Sequence, residues 1–225
     1  MAPLLFIDVE TAPDTSRREL WAAKRQEAEE QAAKQREAEQ AGKEFAPACK
    51  KFAPSLVPEF CRVVALGWAL DAEPTHSLVV GTVRPVQPNS PVKEVEETDL
   101  LARFWQLVRG QPGPTLVGFN ILNFDLPVLF VRSALLGAHP TRLIDRRGWG
   151  PDCIDLYECR HYSAGGGKLK DLARYFDFTV AEPDVDGAQV EELSVTDLGK
   201  LGRYVESDVA ITRQLYQFYK GYFVR

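Results

Sequence analysis

The stretch Leu4-Leu5-Phe6-Ile7-Asp8-Val9-Glu10 is an apolar run that ends in two acidic residues. Its length and its β-branched residues predict a buried strand over residues 4–9. Side chains alternate between the two faces of a strand, so Asp8 and Glu10 are expected on the same face. Two acids in this arrangement can hold metal ions, and one of them can bridge two ions.

The second acidic pattern is Asn120-Ile121-Leu122-Asn123-Phe124-Asp125. It follows a strand-like run at residues 115–119 and precedes a helical pattern that begins at Leu126. Pro127 fits the first turn of that helix, where a missing amide hydrogen costs little. Asp125 is therefore predicted at a strand-to-helix junction.

The third pattern is Tyr204-Val205-Glu206-Ser207-Asp208, within a helix predicted over residues 195–222. Tyr204 and Asp208 are four residues apart, so they share one face of that helix. A phenol is then expected one helical turn from a carboxylate.

Together these acids describe a carboxylate cage for two divalent metal ions. A phosphodiester resists hydrolysis because its anionic oxygens repel a nucleophile and its alkoxide is a poor leaving group. Two cations roughly 4 Å apart can generate a hydroxide and stabilise the departing oxygen. Magnesium and manganese prefer hard oxygen ligands such as carboxylates. The cage therefore predicts phosphodiester hydrolysis.

Each pattern also has a plain structural explanation. An acidic pair can be a solvated strand end, Asn120 and Asp125 can cap a turn and a helix, and Tyr204 can fill the core. Three patterns in this order, with the tyrosine in register, favour a common site over three coincidences.

The remaining patterns alternate between strand and helix, which favours an α/β fold. The further strands are predicted at residues 62–70, 78–83 and 153–156, and the further helices at residues 99–109 and 168–176. A hydrophobic content of 45% is enough for a sizeable core in one domain. The four cysteines form no C-x-x-C pair, so buried free thiols are expected at Cys49, Cys61, Cys153 and Cys159.

The order and spacing of the acids resemble the DEDD superfamily of 3′ to 5′ exonucleases. The resemblance implies that the four metal-binding acids are Asp8, Glu10, Asp125 and Asp208. Tyr204 matches the tyrosine branch of that superfamily, and Arg203 stands where the other branch carries histidine. The stretch at residues 117–127 is similar to the proofreading exonuclease domain of family B DNA polymerases, here as a stand-alone protein.

This resemblance implies a ribonuclease-H-like mixed sheet flanked by helices, in a single domain over residues 1–225. It implies a 3′ to 5′ exonuclease that uses Mg²⁺ or Mn²⁺ and releases nucleoside monophosphates from a DNA 3′ end, expected to be single-stranded. Tyr204 would orient the attacking water, because a phenol with an ordinary pKa of about 10 is too weak a base to deprotonate it. The alternatives are an exoribonuclease with the same cage and a non-catalytic module that binds nucleic acid or a partner.

Four further side chains are candidates for substrate binding. Asn120 can support the site or contact the nucleic-acid strand. Phe124 and Trp149 can stack on bases. Lys168 follows the glycines at residues 165–167 and can contact phosphates. Packing explains the two aromatic residues equally well, and a plain linker is the simpler explanation for the glycines.

The net charge is −5, whereas broad binding to nucleic acid normally relies on lysine and arginine. An enzyme that grips only a few terminal nucleotides needs no large basic face, and Lys170 and Arg203 are among several basic residues near the motifs. The chain has no apolar stretch of 18 residues and no secretory signal, so it is expected to be cytoplasmic, without membrane contact.

Residues 17–44 depart from the resemblance as a charged insertion after the first strand. They comprise seven basic residues, seven acidic residues and seven alanines, with Leu20 and Trp21 as the only large apolar side chains. This composition predicts a solvated helix or helical hairpin beside the active site. It is either a tolerated surface insertion or an arm for nucleic acid or a protein partner.

Overall fold

A computed structural model describes residues 2–40, 52–83, 93–110, 112–145, 151–159 and 167–221. The strands are β1 (Leu4–Pro13), β2 (Cys61–Leu70), β3 (His76–Val79), β4 (Gly81–Val83), β5 (Lys93–Val95), β6 (Thr115–Gly118) and β7 (Cys153–Asp155). The helices are α1 (Arg18–Gln40), α2 (Glu97–Leu107), α3 (Asp125–Leu136), α4 (Leu156–Cys159), α5 (Leu169–Tyr175), α6 (Val190–Thr196) and α7 (Leu198–Tyr219).

Five strands form one mixed sheet in the order β3-β2-β1-β6-β7. Strand β1 is antiparallel to β2 and parallel to β6, and β6 is parallel to β7. Strands β4 and β5 form a separate antiparallel pair. The mixed sheet and its flanking helices confirm the predicted α/β class.

Strand β1 separates two parts of the core. Leu5, Ile7 and Val9 pack in one apolar cluster with residues of α2 and α3. Phe6 belongs to a second cluster, with Val209 and other residues of α7. The even-numbered side chains of β1 therefore face α7.

Strand β1 is longer than predicted. Pairing with β2 continues from Leu5 to Pro13, with a register shift between Glu10 and Thr11. The apolar run ends earlier, but backbone hydrogen bonds to a neighbouring strand do not require apolar side chains. Asp8 and Glu10 consequently lie inside the strand and not at its end.

The helix predicted over residues 195–222 begins in the last two residues of α6 and continues as α7, which ends at Tyr219; residue 222 lies outside the described part. Asp197 has a non-helical backbone (φ −149°, ψ 83°), and its side chain accepts a hydrogen bond of 2.8 Å from the Lys200 amide at the start of α7. The strand predicted over residues 78–83 is also divided, because β3 and β4 belong to different sheets. The short elements β5 and α4 have no sequence pattern long enough to predict them.

The charged insertion forms one helix, α1, and not a hairpin, over residues 18–40; residues 41–44 lie outside the described part. Trp21 is buried and its Nε1 donates a hydrogen bond of 3.0 Å to the Asp14 carbonyl, whereas Leu20 is exposed. Among the helices described, none is both long and apolar enough to span a membrane. Cys61 and Cys153 are buried free thiols, as expected. Cys49 and the side chain of Cys159 lie outside the described part, so the expectation for them stays a prediction.

Helix α7 lies unusually close to the sheet at Gly67, the residue of β2 that pairs with Asp8. A Cβ atom at this position would lie 2.9 Å from both the Val205 carbonyl oxygen and the Val209 Cγ2. Such distances are too short for a real contact, so any larger residue would displace the helix. Because glycine has no side chain, α7 can pack closely on the sheet at this point and approach β1.

We predict that Gly67→Ala lowers the free energy of unfolding by about 1 to 3 kcal/mol, as overpacking of a core usually does. Urea denaturation measures the change. Gly187→Ala is the matched control, because no atom lies within 4 Å of a Cβ built at Gly187. Equal stability of the two variants would show that α7 is not constrained at Gly67.

Candidate active site

Three of the sequence-predicted acids meet between β1 and α7. Asp8, Glu10 and Asp208 each place one carboxylate oxygen within 4.8 Å of the others. Asp8 and Glu10 reach this point because alternation along β1 turns both side chains toward α7. Asp208 reaches it because α7 packs closely on Gly67.

The fourth acid, Asp125, is the first residue of α3; it is buried like Asp208, whereas Asp8 and Glu10 are half-buried. Its Oδ1 accepts a hydrogen bond of 3.0 Å from the backbone amide of Val9, which lies between the two acids of β1. This bond joins the second acidic pattern directly to the first. Burial raises the pKa of Asp125 to about 7, and the Asp155 carboxylate adds to the increase.

The cluster is electrostatically unfavourable without a cation. Burial raises the pKa values of Asp8 and Glu10 well above their usual range, and repulsion from neighbouring carboxylates raises them further. Burial also raises the pKa of Asp208 to about 6. Each carboxyl group therefore retains its proton to a higher pH than an exposed acid would.

The donor set fits a hard dication. Asp8 Oδ2 and Asp208 Oδ1 are buried and have no hydrogen-bond partner among the described residues. A bound cation would satisfy both oxygens and offset the mutual repulsion of the carboxylates. Oxygen ligands without sulfur or imidazole favour magnesium or manganese over zinc or copper.

Tyr204 is buried beside the cluster, one helical turn before Asp208. Its pKa is raised far above the usual range by burial, and the negative charges of Glu10 and Asp208 add to this effect. A hydrogen bond from the Tyr204 hydroxyl opposes the increase in the pKa values of Glu10 and Asp208. The phenol therefore remains protonated and acts as a hydrogen-bond donor.

Lys170 is a site residue that the sequence indicated only as one of several basic residues near the motifs. Its Nζ lies 3.9 Å from Asp208 Oδ1 and 4.4 Å from the centroid of the Tyr204 ring. The same Nζ donates hydrogen bonds of 2.6 Å and 2.5 Å to the Glu182 and Val185 carbonyls, which hold it in place. No local pattern distinguishes this lysine from other basic residues, so only the three-dimensional packing identifies it.

Asp155 was missed, although it is fully buried at the end of β7. Its Oδ1 accepts hydrogen bonds from the amides of Asn120 (2.7 Å) and Tyr157 (3.0 Å), and its Oδ2 accepts one from Leu122 (3.1 Å). Asp155 thereby fixes the loop that leads from β6 to Asp125. An acid that follows a strand-like run is the sequence signal that could have indicated it.

The candidate substrate-binding residues lie in different surroundings. Asn120 adopts a left-handed conformation (φ 67°), and its Oδ1 accepts a hydrogen bond of 3.0 Å from the Asn123 side chain. Phe124 is half-buried against the core, and Lys168 is exposed immediately before α5. Trp149 lies outside the described residues. The roles of these four residues stay predictions.

Comparison with known proteins identifies relatives of the chain. A family described as a predicted 3′-5′ exonuclease related to the exonuclease domain of PolB matches residues 53–222. The chain belongs to this family. Asp125, Tyr204 and Asp208 lie within the matched residues, whereas Asp8 and Glu10 precede them.

Two individual proteins are similar to parts of the chain or to its fold. The chain is 37% identical over 68 residues to the DNA polymerase delta catalytic subunit of Caenorhabditis elegans. The aligned residues are 29% of the chain and 6% of that protein. The family B DNA polymerase of Pyrobaculum calidifontis superimposes on 97% of the chain with a TM-score of 0.58 and 18% identity. The chain spans only 24% of that polymerase. The structural likeness confirms the predicted ribonuclease-H-like fold.

We predict that the metal-free protein loses stability as the pH rises from about 4, the ordinary carboxyl pKa, to about 7, the raised pKa of Asp125. In this range the folded state binds more protons than the unfolded chain, so the free energy of unfolding falls with increasing pH. Asp8→Asn removes one of the repelling carboxylates and should reduce this fall.

Urea denaturation in chelator across this pH range tests the prediction. Asp184→Asn is the control, because it removes the charge of an exposed aspartate. Identical pH dependence of wild type and Asp8→Asn would contradict the electrostatic account. Added Mn²⁺ should stabilise the wild type more than Asp8→Asn, since binding to the folded state raises its stability.

Proposed function

We propose that the protein is a metal-dependent 3′ to 5′ exonuclease that hydrolyses DNA and releases nucleoside monophosphates. The main support is the meeting of Asp8, Glu10 and Asp208 beside Tyr204, in a chain of the PolB-related exonuclease family. DNA is the first substrate to test because both named relatives are DNA polymerases. A single-stranded 3′ end is the proposed form of the substrate.

The four acids are the proposed ligands of two divalent metal ions. When bound, such ions supply the activation of water and the stabilisation of a departing oxygen. Asp8 and Glu10 approach from β1, Asp208 from α7 and Asp125 from α3. Ligands on three separate elements that pack on one another form a rigid site, which favours correct positioning of a scissile bond.

Tyr204 and Lys170 have distinct proposed roles. The protonated Tyr204 hydroxyl orients a water molecule by hydrogen bonding and does not remove its proton. Lys170 reduces the negative charge at Asp208 and packs on the Tyr204 ring. The ammonium group therefore keeps the phenol and the carboxylate of α7 in a fixed relation.

Two other functions make different predictions. An exoribonuclease with the same site would prefer RNA in a direct comparison of labelled substrates. A non-catalytic binding module would cleave neither. The buried cluster disfavours such a module, because mutually repelling carboxylates reduce stability unless a cation binds them.

We predict that Asp208→Asn lowers the rate of DNA cleavage by at least about 100-fold. Mutating a residue that only hydrogen-bonds to a metal ligand can already lower activity by about 100-fold, and Asp208 is a proposed ligand itself. Cleavage of 3′-labelled and 5′-labelled oligonucleotides with Mg²⁺ or Mn²⁺ measures it, and chelator should abolish activity. The control is Glu206→Gln on the same helix, where the Glu206 carboxylate accepts a hydrogen bond from Ser77 Oγ at 2.6 Å. Full activity in Asp208→Asn or in chelator would refute the mechanism.

We predict that Tyr204→Phe lowers the catalytic rate by about 10- to 1,000-fold, equivalent to about 1.4 to 4 kcal/mol, with little change in substrate affinity. Single-turnover cleavage and oligonucleotide binding separate the two effects. Tyr216→Phe is the matched control, because Tyr216 is a buried tyrosine of α7 that packs edge-on against Phe6. Equal rates in the two variants would assign Tyr204 to core packing.

A further inference from the structure

Helix α1 and the turn before it divide into two parts of opposite charge. Residues 17–25, here called the base, carry four basic residues and one acidic residue: Arg17, Arg18, Lys24, Arg25 and Glu19. Residues 26–40 carry two basic and five acidic residues. The positive charge of the insertion is therefore concentrated at the end that joins β1.

The base is fixed to the protein core. Trp21 is buried and donates a hydrogen bond of 3.0 Å to the Asp14 carbonyl. The Asp14 carboxylate in turn pairs with the buried Arg132 of α3 at 2.9 Å, and Arg132 pairs with Glu97 at 2.7 Å. Because Trp21, Asp14 and Arg132 are buried, the position of the base relative to β1 is well defined.

The base is connected to the candidate active site through β1. Pro13 is three residues beyond Glu10, or about 10 Å along β1. It lines a cavity of about 500 Å³ together with Arg25, Phe52 and Glu191 of α6. Helix α6 also packs in the apolar cluster that contains Tyr204. A strand of nucleic acid leaving the carboxylate cluster would meet this surface within a short distance.

The surface combines exposed cations with aromatic rings. Lys24 is exposed, and its Nζ lies 5.2 Å from the centroid of Phe60, whose ring is 6.0 Å from that of Phe52. Arg18 is also exposed and lines a neighbouring cavity with Arg25, Glu29 and Glu191. The Glu29 carboxylate beside the cavity is paired with Arg25 at 3.0 Å. Cationic groups beside aromatic rings are the usual means of binding single-stranded nucleic acid without sequence preference.

We propose that the base of α1 is a second binding surface for the substrate strand, which it contacts through phosphates upstream of the 3′ end. The inference rests on the proposed exonuclease function. Arg18 and Lys24 supply the principal charges, and the acidic outer part of α1 repels phosphates and confines the strand to the base. A substrate too short to extend beyond the carboxylate cluster does not use this surface.

The test compares Arg18→Gln/Lys24→Gln with Lys34→Gln/Arg109→Gln. Each double variant removes two exposed positive charges. Lys34 lies about 15 Å beyond Lys24 along α1, and Arg109 follows α2, which packs on the face of the sheet opposite α7. Binding of a labelled 20-nucleotide single strand is measured without turnover in chelator at several salt concentrations. Cleavage of a dinucleotide and of the same 20-nucleotide strand is measured in Mn²⁺.

We expect the base variant to bind the long strand more weakly and to reduce the salt slope by about 2, since each lost phosphate contact reduces it by about 1. Its KM for the long strand should rise about 10-fold, with dinucleotide cleavage unchanged. Equal effects of the two double variants would overturn the proposal. So would unchanged DNA binding with loss of a protein partner in a pull-down. No cleavage by the wild type would refute the exonuclease function, whereas the binding measurement would still test the surface.

Discussion

The central constraint on this structure is the repulsion between partly and fully buried carboxylates that must lie within a few ångströms of one another. Asp8, Glu10 and Asp208 meet with oxygens 4.8 Å apart or closer, and burial makes their charges more costly than they would be in water. The fold must therefore hold them by other interactions. One such interaction is the apolar packing of α7 on β1 and β2, which is possible because Gly67 has no side chain.

Backbone amides hold the remaining acids without introducing opposite charges. Asp125 accepts from the Val9 amide, and Asp155 accepts from three amides of the loop and strand end around it. Amide donors fix a carboxylate in one orientation yet leave its charge largely available to a cation. Lys170 is the exception, and at 3.9 Å from Asp208 it reduces the repulsion only in part. The site is thus ordered, and its carboxyl oxygens stay available to a cation.

Local periodicity explains which parts of the site were predictable. The alternation of β1 and the four-residue spacing of Tyr204 and Asp208 each depend on one element, so the sequence alone indicated which side chains share a face. Lys170 and Asp155 act through residues far away in the chain, and no local pattern contains that information. The division between α6 and α7 was missed for a related reason, because apolar spacing continues past Asp197, whereas its backbone leaves the helical conformation and its side chain caps the start of α7.

Strand β1 carries the acidic pair and leads directly into the base of the charged insertion, so the positions of the two features depend on each other. Pairing of β1 with β2 extends past Glu10 to Pro13, and the buried Asp14–Arg132–Glu97 network then fixes the chain where α1 begins. A buried ion network requires all its partners, since removal of one leaves an uncompensated charge. An insertion with few apolar contacts of its own is thereby held in a definite place beside the carboxylates. A helix anchored in this way can influence which strands reach the site without adding a ligand to it.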